Sequence, residues 1–335
     1  MSTLRDPIYG AVILDAPLLR DLYHSEAVQR LGNIYQGGIT AFIKPERNTT
    51  RLEHSVGVMA LLQRLGAGVE EQAAGLIHDV PHTAFSHVVD FVFPNHDHTY
   101  HEVHREEFIA ASDLPVLLKR HGIAWRWLAE AENFSLLEQP LPALCADRLD
   151  YFLRDGLSLG LLSPSAVADF LEHLRVWEGR IVVAGLPSAR WLGERFSALD
   201  EMVWCSVQEV GWYAIMARAL RAALAAGIIT EADFWGTDHP LMERLRASRD
   251  PGVRRWLALL RPDVDFVRVA DAAADLLVLP KVRAVDPPVW LDGQVCPLSQ
   301  LDADFARLRA RYVAGKQGPW GLRIVEGAAT ITPLE

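Results

Sequence analysis

Cysteine is scarce in this chain: three residues in 335, Cys145, Cys205 and Cys296, far apart and odd in number. That spacing supports neither a disulfide framework nor a cysteine metal knuckle, and points to reduced thiols in a cytoplasmic protein. No apolar run reaches the roughly 18 residues of a membrane span. The start, Met1-Ser2-Thr3-Leu4-Arg5-Asp6, lacks the basic-then-apolar order of a secretory leader. An excess of positive charge is missing too. A net charge of -10 argues against general nucleic-acid binding, while leaving room for a locally basic pocket. The sequence contains no internal repeat, no low-complexity tract and no short metal motif such as His-Glu-x-x-His.

What is present is apolar bulk. Hydrophobic residues make up 50% of the chain, enough to bury a sizeable core. Their spacing predicts mostly helix. Residues 1–50 read as irregular apart from a helix from Pro17 to Leu31; Gln36-Gly37-Gly38 breaks the chain and Lys44 to Thr50 is a polar loop. Helices are predicted from Glu53 to Leu65, Glu70 to Ile77, His101 to Ala111, Leu141 to Leu153 and Glu194 to Ala226, the last interrupted only at Gly211. Pro115–Lys119 and Trp125–Glu132 are shorter candidates. Thr230-Glu231-Ala232-Asp233 resembles a capping box ahead of two short helices. Arg175 to Val183 reads as a hairpin around Glu178-Gly179. After Phe266 the pattern changes, with strands expected at Lys281–Val285 and Leu322–Val325 around a helix near Leu301–Tyr312. The expected organisation is one helical domain over 1–264, its core at about 50–160, and a small α+β appendage over 265–335.

Chemistry concentrates in Ala73 to Asp90, where an apolar run delivers His78-Asp79 and then His82, His87 and Asp90. Imidazole and carboxylate together suit borderline divalent metals. Pro81 disfavours helix before it and suits a helix start after it. The spacing therefore predicts a second helix over Thr83–Phe91, with Thr83, His87 and Asp90 on one face. A His-Asp pair alone proves little, since His96-Asp97 repeats it in a polar run where His96 and His98 read as rim loop. On the helix after Pro142, Asp147, Tyr151, Arg154 and Asp155 share a face at i, i+4, i+7 and i+8. Its apolar flanks suggest burial, and buried carboxylates need partners or a metal. His54 lies near another helix start. Trp125, Trp127, Trp204, Trp212, Tyr213 and Met216 read as core, and His121, His173 and His239 carry no assignment.

His54, His78-Asp79 and the distant Asp147, in that order, resemble the HD-domain superfamily of metal-dependent phosphohydrolases. Arg51-Leu52-Glu53-His54-Ser55-Val56-Gly57-Val58, His78 to His87, Tyr100-His101-Glu102 and Asp147 to Asp155 are similar to segments of its dNTP triphosphohydrolases. Asp6-Pro7-Ile8-Tyr9-Gly10 matches a further, N-terminal one. The likeness covers roughly residues 5–225. It implies an HD-domain helical bundle and one divalent metal (Mn, Fe, Co, Ni, Zn or Mg) on His54, His78, Asp79 and Asp147. It further implies His82, His87 and His101 on the phosphate side, oriented by Asp90 and Glu102. Arg51 and Arg148 would meet phosphate oxygens, Gln36 the sugar 3'-hydroxyl, with Tyr151 and Asp155 near the sugar. The reaction implied is water attack at the α-phosphorus of a dNTP, releasing inorganic triphosphate, in a homo-oligomer.

Departures leave other readings open. Pro81 replaces the family's Gly, Arg148 its usual Lys, and Ser206 to Gly211 aligns loosely with a segment that supplies a Tyr and a Lys. His24 and Gly32 stand where an activating nucleotide would need Asp and Arg. The alternatives are a phosphohydrolase of nucleoside monophosphates, ribonucleotides or another phosphate ester, and a nucleotide-sensing module without turnover.

Overall fold

Residues 2–93 and 99–326 are described by the computed structural model, so His96, Asp97 and His98 lie outside the described residues. The fold is mostly α, with three small sheets. Among the described residues no helix is long and apolar enough to cross a membrane.

The first fifty residues are more regular than their sequence suggests. Ser2–Asp6 and Gly10–Leu14 form an antiparallel hairpin, Ser2 opposite Leu14 and Asp6 opposite Gly10. Its turn is closed by the Asp6 carboxylate, which accepts from the backbone N–H groups of Ile8 and Tyr9 at 2.8 and 3.0 Å. The single helix expected from Pro17 to Leu31 is two, Pro17–Tyr23 and Glu26–Arg30. Ser25 separates them because its hydroxyl caps Val28 N–H and starts the second.

The helix that carries His54, Arg51–Arg64, begins with a reciprocal capping box between Thr50 and Glu53. It packs on Val69–Ile77 and on Ala146–Ser158, the helix that carries Asp147. Gly57 permits the second crossing: a Cβ there would collide with the Asp150 carboxylate and the Arg154 guanidinium.

Three further expectations need correction. Only Val88–Val92 is helical in the stretch expected to be helix from Thr83. The carbonyls of Val80 and His82 are taken instead by Arg30 Nη2, each at 2.7 Å. The N–H groups of Ala84 and Phe85 go to Phe234 O at 2.8 Å and Asp238 Oδ1 at 2.7 Å. Those long-range bonds hold the turn while Phe85 and Ser86 take left-handed φ values of 61° and 53°, which break any i to i+4 ladder before Val88. The long helix after Glu194 breaks not at Gly211 but at a π-helical turn, Asp200–Trp204, between Leu186–Leu199 and Val207–Ala225. Gly211 continues the second of these, and the Phe266 ring fills the place a Cβ would occupy. Finally, Lys281–Val285 is extended but unpaired rather than a strand.

Two cores result. One surrounds the His54 and Asp147 helices together with Leu186–Leu199. The other surrounds Val207–Ala225, which packs on Val88–Val92, Pro251–Leu257 and a sheet of Val264–Val269, Trp320–Glu326 and Leu276–Val278. The hairpin Leu174–Trp177 and Arg180–Ala184 widens into a four-stranded sheet with Pro288–Leu291 and Gln294–Pro297, through a parallel pairing of Val183 with Val289. Residues beyond 265 thus share a sheet with the hairpin, and their helix Ala303–Lys316 packs on Leu186–Leu199.

Candidate metal centre and phosphate pocket

His54, His78 and Asp79 arrive from a helix first turn, a helix C-cap and the residue after it. Their ligand atoms all lie within 4.8 Å of one another. Asp147, in the first turn of its helix, brings Oδ1 to 2.9 Å from His54 Nε2 and 3.6 Å from His78 Nε2. Four groups from three separate segments therefore surround one small space.

The hydrogen bonds behind them fix which atoms face that space. His78 Nδ1 donates to Gly75 O at 2.7 Å, so in the neutral ring Nε2 carries the lone pair, and that nitrogen is buried without a hydrogen-bond partner. An orphaned imidazole lone pair among carboxylates is what a cation ligand looks like without its cation. His54 Nδ1 meets Asp150 Oδ2 at 2.8 Å, and Asp150 is held in turn by Arg154 at 2.9 Å. A carboxylate behind a ligating imidazole is the usual second support of metal sites. Asp79 has Arg51 Nη1 at 2.6 Å on one oxygen and His82 Nε2 at 3.2 Å on the other. The donor set fits one divalent ion.

Electrostatics agree. Burial opposes a charged His54, but its bonds to Asp147 and Asp150 outweigh that and lift it to about 10. A cation would take the place of the proton so held. Burial also disfavours ionised Asp79, yet Arg51 above all holds it well below the usual carboxylate range. His82 and His101 are pushed far down by burial, with Arg51 and neighbouring imidazoles adding to it, and are neutral.

Beside this cradle stand three imidazoles. His82 stacks on His101 with centroids 3.8 Å apart, and His87 meets both edge-on. Asp90 orients His87 through Nδ1 at 2.9 Å. Glu102 lies 3.8 Å from His101 Nε2, too far for the orienting hydrogen bond expected of it.

The pocket that opens here is about 200 Å3 and also receives Gln36, Tyr151 and Asp155. Gln36 Oε1 is buried without a partner, and Asp155 accepts from Trp204 Nε1 at 2.7 Å. Arg154 keeps its place one heptad after Asp147, but its guanidinium joins Asp150 and Asp6 and not the pocket. Arg51 and Arg148 reach the pocket wall with their guanidinium groups engaged. Arg51 holds Asp79 and Ser86, while Arg148 holds Ala143 O, Gln139 O and Cys145 Sγ.

Sequence reasoning missed several lining residues: the Arg47–Glu209 pair at 2.6 Å, Tyr213, Glu138, Arg105, Lys281 and Arg283. Tyr213 was read as core, and it is both buried and at the pocket wall. The Asp150–Arg154 pair did leave a signal, its i, i+4 spacing of opposite charges.

Residues 51–155 match the model of the HD domain. The chain is 34% identical over 323 residues to metal-dependent phosphohydrolase cns2 of Cordyceps militaris, covering 93% of this chain and 92% of that one. It is 38% identical to the uncharacterized protein YdhJ of Bacillus subtilis over 94% of this chain and 97% of that one. The human deoxynucleoside triphosphate triphosphohydrolase SAMHD1 is 26% identical over 53% of this chain and 36% of its own length. A phosphohydrolase structure from Bacteroides thetaiotaomicron superposes with a TM-score of 0.67 at 19% identity, covering 96% of this chain and 99% of that one.

Proposed function

Because the chain belongs to the HD-domain metal-dependent phosphohydrolases, we propose that it hydrolyses a phosphate monoester, with nucleoside monophosphates as the substrate class. The pocket's charge carries this reading. Among the described residues six cations line it, Arg47, Arg51, Arg105, Arg148, Lys281 and Arg283, against six carboxylates, Asp79, Glu102, Glu138, Asp147, Asp155 and Glu209. A divalent ion would balance Asp79 and Asp147, leaving an excess of two positive charges among those side chains. That excess matches a phosphate monoester dianion, and falls short of a triphosphate. Arg51 and Arg148, the two arginines expected on triphosphate oxygens, are also occupied elsewhere.

The nucleoside would lie toward Tyr151, Trp204 and Tyr213, with the unpartnered Gln36 Oε1 accepting from a sugar hydroxyl. His54, His78, Asp79 and Asp147 would hold one divalent ion, which supplies a water of lowered pKa and polarises a phosphoryl oxygen. His87, braced by Asp90, would give a proton to the departing oxygen. His101, neutral and stacked on His82, offers one N–H to the phosphoryl group, whereas His82 is turned to Asp79 and steadies it.

A second reading, dNTP triphosphohydrolase, is supported by the SAMHD1 relatives and the shared segments. Supplying Mn and a panel of mono- and triphosphates, ribo and deoxy, separates the two by product. Orthophosphate from monophosphates is the expected result. Triphosphate released from dNTPs would replace this reading with the second. Tight binding of nucleotides without any product would replace both with a sensing module.

A further inference from the structure

The unpaired stretch Lys281–Val285 brings two cations to the pocket from outside the HD-matched residues. Its backbone is pinned. Arg283 N–H donates to Asp200 Oδ2 at 2.8 Å, Tyr312 Oη donates to the same oxygen at 2.6 Å, and Arg283 Nη1 donates to Lys281 O at 3.2 Å.

The Lys281 side chain is not pinned. Each arginine at the pocket is engaged: Arg47 by Glu209, Arg51 by Asp79, Arg105 by Ala129 O, Arg148 by Ala143 O and Arg283 by Lys281 O. Among the described residues, Lys281 is the pocket cation with neither hydrogen bond nor ion pair on its charged group. Burial, then Arg283, pushes its ammonium below the ordinary lysine range. Asp90, Glu102 and Glu138 act in the opposite sense without coming into ion-pair contact. Lys281 shares the pocket wall with His87, His101, Glu102 and Glu138. Lys281 also borders an adjoining chamber of about 680 Å3.

We propose that Lys281 is a substrate-binding residue whose ammonium meets the non-bridging oxygens of a phosphate dianion in the pocket it lines together with His87 and His101. The proposal rests on the phosphomonoester reading for the identity of the ester, though not for the phosphate contact itself. A semi-buried cation held ready by a fixed backbone gains most when a dianion arrives, because the charge-assisted bonds then replace lost hydration.

The test is calorimetric titration of the Mn-loaded full-length protein with inorganic phosphate, alongside metal analysis. Lys281→Met should weaken phosphate binding about tenfold or more, with metal content unchanged, and Lys281→Arg should stay within about threefold of the parent. Phosphate affinity in Lys281→Met within about twofold of the parent would overturn the proposal. If the methionine variant loses phosphate while the parent cleaves no nucleotide, the Lys281 contact stands and the nucleotide reading fails. If nucleotides are cleaved with unchanged KM and phosphate affinity in that variant, the reverse holds.

Discussion

Asp150 is wholly buried and does not line the pocket, yet it governs which His54 nitrogen faces the metal cradle. Its charge raises the basicity of the imidazole behind which it stands. Asp150→Asn should therefore lower metal affinity about 10–100-fold, read by titrating Mn or Zn into metal-stripped protein. Asp147 makes the opposite case. Its side chain is 23% exposed, so water can take its place beside His54 and His78. Asp147→Ala should abolish metal retention while the unfolding temperature of the stripped protein moves by no more than about 3 °C. Full metal content in that variant would remove Asp147 from the ligand set.

Elements explain why these side chains converge. The Asp147 and His54 helices approach closely enough for Asp150 to reach His54 only because Gly57 has no side chain. Gly57→Ala should cost about 1–3 kcal/mol in denaturant unfolding and weaken metal binding with it. Asp238 clamps the site from another direction, its carboxylate accepting from Tyr35 and Phe85 N–H at 2.8 and 2.7 Å. Burial lifts that carboxyl to about 7, against the pull of the two amides. A raised folded-state pKa means a contribution complete below the ordinary value of 3.8 and lost as pH rises through about 7. Between pH 5 and 8, the unfolding temperature of the parent should therefore fall relative to that of Asp238→Asn; parallel curves would reject the assignment.

At this scale the sequence was readable where periodicity decides structure, and opaque where distant partners do. The His54 helix was visible from Val56, Met59 and Leu62, but its start was read at Glu53, and the Thr50–Glu53 box that begins it at Arg51 went unread. The turn from Val80 to Ser86 was not visible, because Arg30, Phe234 and Asp238 claim its polar groups from far along the chain. The same holds for the pocket. His54, His78, Asp79 and Asp147 could be picked out by their order within a familiar pattern. Lys281 and Arg283 could not, since nothing in an apolar-basic stretch distinguishes a strand from a pinned extended segment.

For the whole molecule, a metal that binds only the folded chain must stabilise it by mass action. At a hundredfold excess of free ion over Kd the gain is about 2.7 kcal/mol. Chelation should therefore lower the unfolding temperature, and Asp147→Ala should respond to neither chelator nor added metal. The two cores meet across the pocket, with Val210 and Tyr213 from one facing Tyr151 and Trp204 packed on the other.

Synthesis proceeds from the N-terminus, and that gives the placement of Lys281 a consequence in time. By residue 155 a nascent chain has every side chain of the ion cradle, yet two of the six cations on the pocket wall, Lys281 and Arg283, are still to come. A half-made molecule thus carries its ion ligands before its anion-holding wall is complete.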